Sequence, residues 1–205
     1  MRKGIARSPI APVPPVAVVG GWEVSARRSG AALVLSDQTP LAKVLVRAPE
    51  QGATAARLGV PFGCARRTAD GTLVIGSGPG EWLLLGAAGT ARELLAHAEA
   101  AAADHEFVSV ADFTSSRALM RLEGDRSADL LAKLCAIDLS DRATADGSAL
   151  RTLVALVVTD VVRDDRDGVA SYLLHCERSS GQVLFDALLD AGREFDVDVG
   201  GFVSG

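Results

Sequence analysis

Aromatic side chains are scarce: two Trp, one Tyr and six Phe make up 4% of 205 residues. With so few rings, any core must be packed from Ala, Val and Leu, with Trp22, Trp82 and the Phe residues as its main large pieces. Cysteine is scarce too. Cys64, Cys135 and Cys176 are odd in number, far apart and without a C-x-x-C pair. They exclude a disulfide framework and a zinc site, and they read as buried, reduced thiols of a cytoplasmic protein. No Lys/Arg block exceeds two residues and the formal net charge is −5, so the concentrated basic face that nucleic acid requires is missing. No apolar run approaches the ~20 residues of a membrane helix. Arg2, Lys3 and Arg7 precede an apolar stretch, but Pro9, Pro12, Pro14 and Pro15 interrupt it and no small-x-small cleavage site follows. This start reads as an extended arm rather than a signal peptide.

What the chain has is 48% apolar residues, enough for one domain or two small lobes sharing a core. The stretch that organises it is Phe107–Asp141. Val108 and Val110 mark a short strand, 112–116 a mostly polar corner, and Arg117–Leu122 a second strand that stops at Glu123-Gly124. Asp125 stands where a helix N-cap belongs, and Leu130, Leu131, Leu134 and Ile137 follow at helical spacing.

Taken in order, residues 1–20 are a Pro-rich arm, expected to lie across another surface. Residues 21–196 form the domain, and 197–205 a mobile C-terminal tail. Strands are expected at 22–24, 31–36 and 41–48, a short helix from Pro49 to Leu58, a hairpin at 72–85 and a helix at 89–103. Beyond the central stretch come strand at 150–163, a turn at Asp164–Gly168, a returning strand at 169–176, and a helix from Ser179 or Ser180 to Glu194. A repeat emerges: strand, short helix, hairpin, helix occurs over about 31–106 and again over 107–195. The expected fold class is α+β, two β-α-β-β-α units, a duplicated ferredoxin-like pattern, packed as one body.

Ser115, Arg117, Leu122, Gly124, Ala128, Leu131, Leu134, Asp138 and Leu139, with Gly78–Leu85 (GPGEWLLL) before them and Glu177–Ser180 (ERSS) after, resemble the folate-binding aminomethyltransferase superfamily, which includes the T-protein of the glycine cleavage system. Within it the sequence is similar to the gamma subunits of heterotetrameric sarcosine oxidases. The resemblance covers roughly residues 30–195. It implies the N-terminal part of the aminomethyltransferase fold, and a non-catalytic subunit that braces larger flavin-containing subunits. FAD, FMN, NAD and tetrahydrofolate would sit in those partners and none in this chain. The complex would demethylate sarcosine oxidatively to glycine, with hydrogen peroxide and a one-carbon unit passed to tetrahydrofolate.

The residues themselves offer little chemistry, and no catalytic, cofactor-binding or metal-binding residue is assigned. His97 and His105 read as helix-surface and helix-end residues. His175 and Cys176 are strand neighbours and point to opposite faces, the wrong arrangement for a base and its nucleophile. Gly76–Gly80 is Gly-rich but precedes a strand rather than a helix, so it reads as a hairpin turn and not a phosphate loop. Asp160 falls near the position of the superfamily's acidic residue, yet the Gly pair and partner acid of that pattern are absent, and it reads as a turn or solvent-facing residue. Two alternatives stay open beside the subunit reading: a stand-alone folate-binding or aminomethyltransferase-like protein, and a self-associating scaffold.

Overall fold

Two mostly apolar runs, Leu41–Val46 and Ala118–Leu122, each interrupted by one charged residue, have both faces buried in the computed structural model, which describes residues 4–202. Strands of that kind belong at the centre of covered sheets. Before them, β1 (Ala6–Arg7), β2 (Val16–Val19) and β3 (Trp22–Ser25) form a small sheet in the order β1-β3-β2. Then follow β4 (Val34–Asp37), β5 (Leu41–Arg47), α1 (Ala53–Leu58), β6 (Ala65–Arg67), β7 (Leu73–Gly78), β8 (Glu81–Ala88), α2 (Ala91–Ala101) and β9 (Ser109–Asp112). The second half runs β10 (Arg117–Glu123), α3 (Ser127–Ala132), β11 (Ala149–Val154), β12 (Val157–Arg163), β13 (Ser171–Glu177), α4 (Gly181–Ala191) and β14 (Asp198–Gly200).

The repeat is visible in the pairing. One sheet is ordered β6-β7-β8-β5-β9 and the other β11-β12-β13-β10-β4-β14. Each unit therefore lays its three later strands on one side of its first strand. Each also carries one strand more than the sequence pattern suggests, β6 and β11. On the other side of each first strand sits a strand lent by the opposite half: β9 beside β5, and β4 beside β10. The chain changes sheets twice, at 38–40 and 113–116. Both corners are built alike. Asp37 accepts the Thr39 N–H and Asp112 accepts the Thr114 N–H. The Leu119 N–H then donates to the Thr39 hydroxyl, and the Lys43 N–H to the Thr114 hydroxyl. Thus each corner threonine is tied to the third residue of the other unit's first strand.

The two sheets face each other. Leu41, Leu73, Ile75, Leu83 and Leu85 of one pack on Leu119, Ala149, Val162 and Leu173 of the other. Outside, α1 and α2 cover one sheet through Leu58, Leu94 and Ala98. On the far side, α3 and α4 cover the other through Leu130, Leu131, Leu184, Phe185 and Leu188. The result is four layers, helix–sheet–sheet–helix. Gly124, in the central motif, has φ +138, and a Cβ there would lie 2.1 Å from the Ala32 carbonyl oxygen. Only glycine lets the end of β10 pass that close.

Several expectations are corrected. Residues 4–20 fold onto the chain itself: Ile10 is buried in the α4-side core, and Gln182 accepts the Ala11 N–H. A Pro-rich segment has no periodicity to announce a core contact, so Ile10 could not be distinguished from its neighbours. Residues 198–200 pair in parallel with β4, the Gly201 N–H donates to the Arg27 carbonyl, and Val197 and Phe202 pack on the two cores; residues 203–205 of the expected tail lie outside the described residues. The strand expected across 150–158 is broken by a hairpin turn at Ala155-Leu156, both with positive φ, which neither residue advertises. Asp125 does not cap α3, whose cap position is Arg126. Ile137 is exposed because α3 ends at Ala132. Cys64 is exposed, since it sits on the edge approach to β6 and bridges Ser148. The start of α1 is capped from afar by Glu106, whose carboxylate accepts the Ala53 and Thr54 N–H groups.

Candidate functional site

The polar groups of interest lie where the facing sheets open. On β12, alternation sends Asp160 and Val162 toward the other sheet. Asp160 is therefore not the turn or solvent-facing residue expected: its side chain is 13% exposed. Arg151 on β11 is its direct register partner and donates through Nε at 2.6 Å and Nη2 at 3.3 Å. His175 on β13 is its partner on the other side, with Nδ1 at 3.1 Å. Arg151 also faces Glu81 at 3.7 Å, and Arg47 Nε donates to Glu81 at 2.9 Å. An alternating chain of charges thus spans the open end of the two sheets.

Burial works against the Asp160 carboxylate, but the bonds from His175 and Arg151 outweigh it and hold its pKa below the usual value. Burial pushes the His175 pKa down, and Asp160 only partly opposes this. His175 is then neutral, with Nδ1–H donated to Asp160, and Arg151 supplies the positive charge that keeps Asp160 ionised. Its Nε2 is buried and has no partner. The space between Asp160, His175, Arg117 and Leu119 is about 30 Å³, room for a water molecule and far below the 300–1,000 Å³ of ligand clefts.

The other sequence candidates do not join this group. His97 and His105 are exposed on and after α2. Cys176 points away from His175 into the α4-side core, as the strand alternation requires, and burial pushes its thiol up to about 11, so it is no nucleophile. Gly76–Gly80 forms the β7–β8 hairpin with a bulge between Gly76 and Gly78. Among the described residues there is no group of three or more His, Cys, Asp or Glu placed to hold a metal ion, and no helix is long and apolar enough to cross a membrane.

Sequence reasoning missed Lys43. It is fully buried at the crossing of the two corners, donating Nζ to the carbonyls of Thr39 at 2.6 Å and Leu41 at 3.0 Å, with that of Thr114 at 3.5 Å. A lysine inside the run LAKVLV was its only signal. Also missed was a second polar cluster just past the C-terminal end of β12, where Arg67 and Arg121 share Asp164.

Comparison with known proteins gives this architecture its relatives. No curated protein matches the chain. Among solved structures, it is similar to a chain of the heterotetrameric sarcosine oxidase from Corynebacterium sp. U-96 in complex with pyrrole 2-carboxylate, at 25% identity and TM-score 0.70, over 83% of this chain and 89% of that one. It shares its fold with the glycine cleavage system aminomethyltransferase T from Bartonella henselae, at 16% identity and TM-score 0.69, over 91% of this chain but only 55% of that one. The GCVT N-terminal domain pattern matches residues 65–204, which take in the whole second unit and the β6–β7–β8–α2 part of the first. By that match and by its paired α+β units, the chain belongs to the GCVT N-terminal domain family of the aminomethyltransferase superfamily.

Proposed function

We propose that this chain is a non-catalytic subunit of a sarcosine oxidase-type complex. Its larger subunits carry FAD, FMN, NAD and tetrahydrofolate and convert sarcosine and oxygen to glycine, hydrogen peroxide and a folate-bound one-carbon unit. The observation that carries this reading is the reach of the match: 83% of this chain against 89% of an oxidase chain, compared with just over half of the aminomethyltransferase. Asp160 supports it, because both carboxylate oxygens are engaged by Arg151 and His175 in a space too small for a pterin.

The surface supports it as well. Leu153 and Val158 are register partners beyond the cover of the other sheet, and Leu156, at the hairpin tip between them, is 90% exposed. An exposed apolar tip of this kind suits a partner surface. The test is co-expression with the larger subunits, followed by size-exclusion chromatography with light scattering. A stable hetero-oligomer is expected, in which Asp160→Asn leaves the oxidation rate within about twofold, whereas loss of an essential acid lowers rates by ~10² or more. A monomer that ignores those subunits and binds tetrahydrofolate at micromolar concentration would overturn the reading in favour of a folate-binding enzyme.

A further inference from the structure

The second polar cluster opens onto a cleft of about 780 Å³, well within the size of small-molecule sites. Its floor is leucine from both sheets: Leu41, Leu73, Leu85 and Leu173. Its inner wall is cationic. Arg121 is 2% exposed, donating to the Asp164 carbonyl and carboxylate and to the Ser171 hydroxyl, and its buried Nε–H has no acceptor. Arg67 donates to the same carboxylate through Nε and Nη2. Arg166 also lines the cleft, close enough for its charge, like that of Arg67, to bear on Arg121. It has no ion pair among the described residues. Two guanidinium groups therefore share one carboxylate, and a third, unpaired, lines the same cleft with the leucines.

The other acids of the cleft do not supply the missing negative charge. Asp165 is held by Arg163 at 2.9 Å and also accepts the Ser171 N–H. Asp70 is turned into its own loop, accepting from Thr68 and Thr72. Glu93 and Asp167 stand exposed on the outer rim. A second negative charge at the outer end of a ligand would be repelled there.

We propose that this cleft is a binding site for an organic monocarboxylate with an apolar body, its carboxylate seated against Arg121 and Arg166 and its body on the leucine floor. A carboxylate matches the fork of a guanidinium, and the leucines supply the apolar contact. The site lies just past the C-terminal end of β12, apart from Asp160 at its middle, and its occupancy does not depend on the subunit reading.

The test uses the full chain, with isothermal titration calorimetry and saturation-transfer difference NMR. The probes are benzoate, phenylacetate and indole-3-acetate, with benzamide as the neutral counterpart and inorganic phosphate as the dianionic control. At least one monocarboxylate is expected to bind saturably, and at least about tenfold more tightly than benzamide or phosphate, the factor that ~1.4 kcal/mol represents. Arg166→Gln, on a half-buried turn, should weaken it by a similar factor with an unchanged circular dichroism spectrum. Arg121→Gln should abolish binding if it folds; should it not fold, Arg166→Gln decides alone. Absence of saturable binding for all three monocarboxylates, equal binding of benzamide or phosphate, or an unaffected folded Arg166→Gln protein would each overturn the proposal.

Discussion

Lys43→Met tests how the two halves are joined. The methionine side chain is of similar length but carries no charge. In the native protein Lys43 is fully buried, among the carbonyls of Thr39, Leu41 and Thr114. Burial lowers its pKa from 10.5 to about 7; Asp37 and Asp112 oppose the shift and Arg178 adds to it. Across that window the unfolded chain holds a proton that the folded chain has released, so stability rises with pH, by up to about 1.4 kcal/mol per unit. The three carbonyl dipoles favour the ammonium form, which makes that slope an upper limit.

Other groups titrate nearby with the opposite sign. Burial raises the pKa of Tyr172, and pushes Cys176 from 9.0 to about 11. For these the folded state keeps a proton that the unfolded state has lost, so their contribution falls as pH rises through and above that range. Both are present in wild type and variant, so the difference between the two stability curves isolates Lys43. The assay is urea unfolding followed by Trp fluorescence at pH about 7, about 8 and about 9. The variant also leaves carbonyls without a donor, a cost of ~1–3 kcal/mol that does not vary with pH. The expected result is a wild-type minus variant stability that grows by about 1 kcal/mol per pH unit. A difference flat to within ~0.3 kcal/mol over the range would show that Lys43 stays charged in the fold and would refute the reasoning.

Leu131, fully buried in the α4-side core, should cost ~2–5 kcal/mol when replaced by alanine; Lys133→Ala, which removes a contact with the Ala191 carbonyl and a half-exposed pair with Glu194, should cost under ~1 kcal/mol. A Leu131→Ala loss below ~1 kcal/mol in urea unfolding would remove α3 from its place. Ile10 is buried in the same core, so Ile10→Ala should cost ~2–4 kcal/mol and deletion of residues 1–20 should lower the melting temperature of the chain alone. An unchanged melting temperature would mean that the segment does not pack on its own domain. Leu156→Asp should change stability by no more than ~0.5 kcal/mol while abolishing co-purification with the larger subunits; retained assembly would take the hairpin tip out of the interface.

Much of the fold was legible in the sequence, because it rests on local patterns. The apolar runs around Val44 and Met120, the GPG hairpin, the Ala-rich α2 and the DG turn at Asp167-Gly168 each carry their own period or turn chemistry, and the repeat followed from their order. The motif from Ser115 to Leu139, with GPGEWLLL before it and ERSS after, carries the resemblance to the aminomethyltransferases, and so the family. The opposite faces of His175 and Cys176 also followed from the alternation of a strand alone.

Tertiary structure alone decided whatever depends on neighbours distant in the chain. The exchange of β4 and β9 between sheets is invisible to periodicity, since a strand looks the same whichever sheet receives it. Ile10 is one apolar residue among prolines until α4 supplies its pocket. Asp160 looks like a turn acid until β11 and β13 bring Arg151 and His175 beside it. Arg67, Arg121 and Asp164 lie on three different strands or strand ends and form a cluster only because two sheets face each other. Propensity and pattern act over a few residues, whereas pairing, burial and charge clustering are settled by which surfaces meet.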